Sequence, residues 1–225
     1  MTEIEKNVKE IRKKIAAAAG GREICLVAAT KQNGTDRVKA AIAAGVDACG
    51  ENRVQELVQK LSEGAYEGAA LHFIGRLQKN KVSKLVGTVS LIESVDSEEL
   101  MAFISAKAAE KGVLQDILLQ VNIGGEESKG GFSPQMLEKA VEAAGKNRGI
   151  RVRGLMTIPP ISTSKGGNRR YFDQMKELFV DIRAKEYDNV SMDFLSMGMS
   201  EDFEDAIAAG ANMIRVGSAI FGARK

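Results

Sequence analysis

Among its 225 residues the chain has only two cysteines, Cys25 and Cys49, and neither belongs to a spaced metal-ligand motif. Both lie in or beside apolar runs, where a thiol behaves as a small hydrophobe. That excludes a disulfide framework and fits a reducing compartment. Charge of one sign is also lacking. Lys+Arg number 32 against 30 Asp+Glu, and the resulting +2 gives no strong attraction to nucleic acid or an acidic membrane. The one basic run, Arg76, Lys79, Lys81 and Lys84, has no interleaved aromatic residue and reads as a solvated helix face rather than an RNA site. No apolar run approaches the length of a membrane span. The charged, amphipathic start MTEIEKNVKEIRKKI lacks the apolar core of a signal peptide. No G-x-G-x-x-G follows an apolar run, so the dinucleotide fingerprint is missing. The expectation is a soluble, cytoplasmic protein that engages neither nucleic acid nor membrane.

What the chain does have is alternation. Ile4, Val8, Ile11 and Ile15 recur at helical spacing and predict an opening amphipathic helix. The run ICLVAATKQ at 24–32, between Gly20-Gly21 and Asn33-Gly34, predicts a buried parallel strand. Period two puts Cys25, Val27, Ala29 and Lys31 on one face and Ile24, Leu26, Ala28 and Thr30 on the other. Thr35 is expected to cap a helix reaching Ala44, and 46–50 to form a short strand. Val54, Leu57, Val58 and Leu61 mark the apolar side of the next helix. Further strands are expected at 71–74, 89–92, 116–123, 151–156, 191–196 and 213–216. Between them come helices at 80–86, at 97–111 with Ser97 as cap, after Ser133-Pro134, at 169–184, and at 201–209 with Ser200 as cap. A turn at 218–221 ends the series. The Gly-rich loop 124–131 and the loop 157–168, which holds two of the three prolines, interrupt it. About eight β-then-α units with no shift in composition predict one domain over 1–225, an α/β fold of the (β/α)8 barrel type with an extra N-terminal helix. A doubly wound open sheet is the runner-up.

In a barrel, chemistry gathers at the carboxyl ends of the strands. Those ends carry Lys31, Glu51-Asn52, Gly75-Arg76, Ser94, Asn122, Met156-Thr157, Met197 to Ser200, and Arg215 to Ser218, with His72 inside the third strand. SMGMSED and RVGSAIFG each set glycine and serine at a helix start after strands seven and eight, where barrels commonly bind phosphate. The plainer account is ordinary helix capping by Ser200. A strand-end lysine and a phosphate cradle across the mouth suggest a phosphorylated carbonyl compound held as an imine. Pyridoxal phosphate and a sugar phosphate in a Schiff-base aldolase both fit. Arg215 favours the first, since an arginine cannot accept a proton and, facing the ring nitrogen, would keep that nitrogen unprotonated and weaken the ring as an electron sink. Its plainer account is a salt bridge inside the barrel rim.

The segments ATK at 29–31, GENRVQE at 50–56, HFIGRLQKNK at 72–81, RGLMTI at 153–158, LSMGMSEDFEDAIAAGA at 195–211 and RVGSAIFGAR at 215–224 carry a resemblance. They are similar to the pyridoxal phosphate homeostasis proteins, single-domain fold-type III barrels related to the barrel domain of alanine racemase. The resemblance implies a pyridoxal 5′-phosphate carrier in vitamin B6 homeostasis with Lys31 as the Schiff-base lysine and Arg215 beside the pyridine nitrogen. It further implies Ser200, Gly217 and Ser218 around the phosphate, Asn52 and His72 near the ring, and Met197 among the cofactor-binding residues. No catalytic residue is assigned; His72 and Lys129 are the candidates, Lys129 as a second amine for the aldehyde unless it is simply solvated.

A racemase with weak activity is the alternative, and it needs an acid/base group on each face of the substrate carbon. The three tyrosines offer none: Tyr66 reads as part of a polar turn, Tyr171 as an early surface-helix residue, and Tyr187 as a residue before strand seven. A Schiff-base aldolase is the weaker alternative. PLP-accepting apo-enzymes are the expected partners, no metal is expected, and the expected state is a monomer. The 157–168 loop is long enough for a lid or a partner contact.

Overall fold

The computed structural model describes residues 1–162, 164 and 166–222. Thr163 and Lys165 of the 157–168 loop lie outside the described residues, as do Ala223, Arg224 and Lys225 at the end of the RVGSAIFGAR segment. Eight strands close into a barrel in sequence order, every pairing parallel. They are β1 (Cys25–Ala29), β2 (Ala48–Glu51), β3 (Ala70–Phe73), β4 (Leu91–Val95), β5 (Gln115–Val121), β6 (Ile150–Thr157), β7 (Val190–Ser196) and β8 (Met213–Val216). After α1 (Glu3–Ala19), a helix follows each strand in turn: α2 (Thr35–Ala43), α3 (Val54–Ser62), α4 (Val82–Leu85), α5 (Glu98–Glu110), α6 (Leu137–Gly145), α7 (Arg169–Arg183), α8 (Phe203–Ala208) and α9 (Ser218–Phe221). Among the described residues no helix is long and apolar enough to cross a membrane.

The strands divide the core in two. Val27, Ala48, Leu91, Leu118, Met156 and Met213 fill the barrel interior. Leu26, Ala28, Ile92, Ile117, Leu119 and Val152 belong to the larger outer core, where the strands meet the helices. The expected two-faced reading of the first strand therefore holds for Cys25 and Val27 against Leu26 and Ala28. Thr2 and Glu5 form a capping box at the start of α1, and Ile4, Val8, Ile11, Ile15 and Ala19 are its buried stripe. Because α9 is a single turn, the outer ring lacks a full eighth helix. α1 fills that place against α2, α8 and α9, with Asn7 Nδ2 donating to the Ile220 carbonyl at 3.0 Å.

Several local expectations are corrected. Thr35 is the first residue of α2 rather than its cap, and its hydroxyl donates to Glu63. The helix expected at 201–209 starts at Phe203, so Ser200 does not cap it; instead Asp202 Oδ1 accepts the Met199 amide at 2.7 Å and tightens the turn. The strand expected at 89–92 runs from Leu91 to Val95, which brings Glu93 into the sheet. On α3 the buried residues are Val54, Leu57 and Lys60, while Val58 and Leu61 are exposed. Ser97 caps α5 as expected, its oxygen accepting the Leu100 amide at 3.3 Å.

Candidate functional site

Lys31 lies two residues past the end of β1, half-buried, in a turn closed by the Asn33 amide on the Thr30 carbonyl at 3.1 Å. Gln32, third in this turn, has φ 62°. That position ordinarily takes Gly or Asn, because a Cβ crowds the following carbonyl there. Asn33 Nδ2 donates to the Lys31 carbonyl at 3.0 Å, and Arg37 Nε donates to Asn33 Oδ1 at 3.0 Å. Arg37 also holds the Phe221 carbonyl, tying the Lys31 turn to α9.

β1 and β8 are hydrogen-bonded neighbours. The phosphate-type loop expected across the mouth from Lys31 is therefore beside it, since closing the barrel joins the first strand to the last. The Ser200 hydroxyl oxygen accepts the amides of Gly217 and Ala219, each at 3.3 Å. The two clusters after strands seven and eight thus meet at the start of α9, with Ser218 exposed there. A Cβ on Gly217 would sit 3.4 Å from Ala29 Cβ, so a side chain at this position would project between the two strand ends. Met197 is fully buried in the outer core and contributes packing rather than a polar group.

Inside the barrel a polar network stands among the apolar side chains. Arg215, 4% exposed, donates from Nη1 to Ser196 Oγ at 2.5 Å and from Nη2 to the Thr157 carbonyl at 2.7 Å. Ser196 Oγ donates in turn to Glu93 Oε2 at 2.7 Å, and His72 Nδ1 bonds Glu93 Oε1 at 2.8 Å. Arg215 and Glu93 are 3.8 Å apart. The two accounts of Arg215, site residue and rim ion pair, are therefore compatible: its charge is balanced from one side, and a five-donor fork has capacity beyond two bonds. Burial pushes the Glu93 carboxyl up, but the bond and charge of His72, the charge of Arg215 and the Ser196 hydroxyl outweigh it and hold it below the usual range. Burial lowers Arg215 from its ordinary value, opposed by Glu93 and Asp202. Glu93 and Ser196 were missed as site residues. The available signal was a lone carboxylate alternating with Leu91 and Val95 in an apolar strand.

Asn52, half-buried at the end of β2, has an amide oxygen that is buried without a hydrogen-bond partner among the described residues. Such an acceptor invites a ligand donor. Its backbone is set by Gly75, where a Cβ would meet Asn52 O at 2.2 Å and Asn52 Cα at 2.5 Å. Lys129 is not simply solvated. Its amine pairs with Glu126 at 2.5 Å and donates to the Pro159 carbonyl at 2.9 Å, joining the 124–131 loop to the loop at 157–168. Tyr66 lies in a turn after α3, as expected, but is buried there, and its hydroxyl donates to Glu51 Oε1 at 3.1 Å. Tyr171 accepts from Arg170 and Tyr187 donates to Glu138, both rings being half-buried against the outer core with their hydroxyl bonds exposed. Burial pushes the Cys25 and Cys49 thiols up to about 12, so both are neutral at ordinary pH.

The model of the alanine racemase N-terminal domain matches residues 1–225. The pyridoxal phosphate homeostasis protein of Aquifex aeolicus is 41% identical over 220 residues, covering 97% of this chain and 96% of that protein. The structure of PipY from Synechococcus elongatus PCC7942 with PLP bound superposes with a TM-score of 0.87 at 30% identity, covering 97% of this chain and 100% of that one. The alanine racemase of Clostridium difficile 630 shares the fold, with a TM-score of 0.73 at 15% identity, over 97% of this chain and 56% of the racemase. With a closed eight-stranded parallel barrel and near end-to-end matches of this strength, the chain belongs to the pyridoxal phosphate homeostasis protein family, within the proteins built on the alanine racemase N-terminal domain.

Proposed function

We propose that this chain binds pyridoxal 5′-phosphate at the carboxyl ends of its barrel strands, with Lys31 as the tethering amine, and serves vitamin B6 homeostasis without a committed catalytic cycle. The observation that carries this reading is the pairing of β1 with β8, which puts a strand-end lysine beside an amide-and-hydroxyl cradle. The relatives' naming and PLP-bound PipY support it.

Bound pyridoxal phosphate supplies an aldehyde that condenses with a primary amine, releasing one water, and a ring that draws electrons. Lys31 offers that amine. Ser200 and Ser218 would offer hydroxyls to the phosphate at the start of α9, and the Gly217 amide, which donates to the Ser200 oxygen, would orient that hydroxyl. Arg215 would donate to the ring nitrogen and, as a guanidinium that keeps its protons, leave that nitrogen unprotonated, and Asn52 would offer its unpartnered oxygen to the ring hydroxyl. His72 would lie near the ring with Nδ1 committed to Glu93. The engagement of all three tyrosines elsewhere favours a carrier over a two-base racemase.

The finer parts of the proposal are a monomer, delivery to PLP-accepting apo-enzymes, and a cytoplasmic setting. Two free thiols, Cys25 half-buried and Cys49 buried, suit a reducing compartment. The test is the absorbance of the purified protein with and without borohydride. The expected result is a band near the visible edge that reduction moves, with the label recovered on Lys31. Lys31→Ala should abolish both; an unchanged chromophore and label in that variant would sink the assignment.

A further inference from the structure

The peptide groups around Lys31 are held from α3. Lys60 Nζ donates to the Thr30 carbonyl at 2.8 Å, to Glu51 Oε1 at 2.7 Å and to Glu56 Oε1 at 2.7 Å. Glu56 Oε1 also accepts the Gln32 amide at 2.5 Å. The carbonyl before Lys31 and the amide after it are therefore fixed by one ion cluster, and Asn33 takes the carbonyl of Lys31 itself. The cluster is buried: Lys60 and Glu51 side chains are 7% and 0% exposed, and Glu56 is 20% exposed. All three donors of the ammonium have acceptors, and Glu51 Oε1 collects the hydroxyls of Thr30 and Tyr66 as well.

Stability alone gives little reason for such a cluster. Desolvating one ammonium and two carboxylates offsets most of their attraction, and well-packed apolar residues would do as well. What the cluster supplies is geometry. It holds Gln32 in a left-handed conformation that a non-glycine residue resists, in the peptide next to the tethering amine.

We propose that Lys60 and Glu56 are positioning residues for Lys31, clamping the peptides on both sides so that its amine is presented to an aldehyde without first ordering the turn. This rests on the reading of Lys31 as the tether. The test compares two ligands on the full chain freed of bound cofactor: pyridoxal phosphate, and pyridoxamine phosphate, which has the same ring and phosphate but no aldehyde. Glu56→Ala should weaken pyridoxal phosphate about tenfold while leaving pyridoxamine phosphate within about twofold. Glu56→Gln keeps an acceptor oxygen and should bind both as the wild type does. Lys60→Met should lose more pyridoxal phosphate affinity than Glu56→Ala. If Glu56→Ala does not fold, Glu56→Asp, one methylene too short to reach, provides the same comparison.

Equal weakening of both ligands would make the cluster merely structural, and unchanged pyridoxal phosphate binding would show that no clamp operates. Either result overturns the proposal. Borohydride labelling of the wild type keeps the two readings apart: a label on Lys31 with equal weakening removes the clamp alone, whereas no label on Lys31 removes the tether and the clamp with it.

Discussion

Among the described residues Glu93 is the only carboxylate in the hydrogen-bonded group that joins His72, Ser196 and Arg215, and neutralising it has two separable effects. Glu93→Gln keeps the shape and a hydrogen-bonding oxygen but leaves the Arg215 guanidinium buried without its counter-charge. A broken buried pair of this kind costs about 3–5 kcal/mol, which urea unfolding at neutral pH will read as a lower midpoint with an unchanged slope. The second effect is on acid sensitivity. The folded Glu93 carboxyl titrates below its ordinary value, so its contribution is complete above about pH 4.3 and is lost as pH falls through the lower folded value. Below about pH 5 the stability gap between wild type and Glu93→Gln should narrow as the folded Glu93 carboxyl takes up its proton. A gap that widens below that pH would contradict the assignment of the charge to Glu93.

Where β2 and β3 end, one glycine decides whether Asn52 can be where it is. A methyl group at Gly75 would overlap Asn52 backbone atoms, closest at 2.2 Å, and backbone cannot swing aside as a side chain can. Gly75→Ala is expected to cost about 2–3 kcal/mol in thermal unfolding and, on the proposed reading of Asn52 as a ring contact and Lys31 as the tether, to weaken pyridoxamine phosphate as well as pyridoxal phosphate. At this scale the sequence was legible wherever one period governed a segment. The strand order, the β1 faces and the stripe of α1 follow from apolar spacing alone. α3 was misread because Val58 and Leu61 are apolar yet exposed, while Lys60 turns inward to two carboxylates and a carbonyl. Pattern rules score a lysine as outward and have no means of seeing partners that come from β2 and the Lys31 turn. The same limit hid Glu93, whose partners stand on β3, β7 and β8. Ser200 was found as a residue but given the wrong local task, because its acceptor role depends on amides well beyond its own turn.

At the scale of the molecule, α1 substitutes for a missing ring helix, so its buried stripe should melt with the barrel rather than before it. Ile11, 4% exposed, tests this. Ile11→Ala is expected to lower the single unfolding transition by about 3 kcal/mol, or ~6–12 °C for a chain of this length. A separate early transition for α1 would contradict the one-unit description. The joining of β1 to β8 reaches further, into the birth of the protein. Gly217 is made 186 residues after Lys31, so at ordinary synthesis rates the Lys31 turn waits on the order of 10–40 s for β8. On the proposed reading, the phosphate end of the site is missing during that interval, and the ligand cannot act as a template for the nascent chain. Loading with pyridoxal phosphate would then follow closure of the barrel and report it.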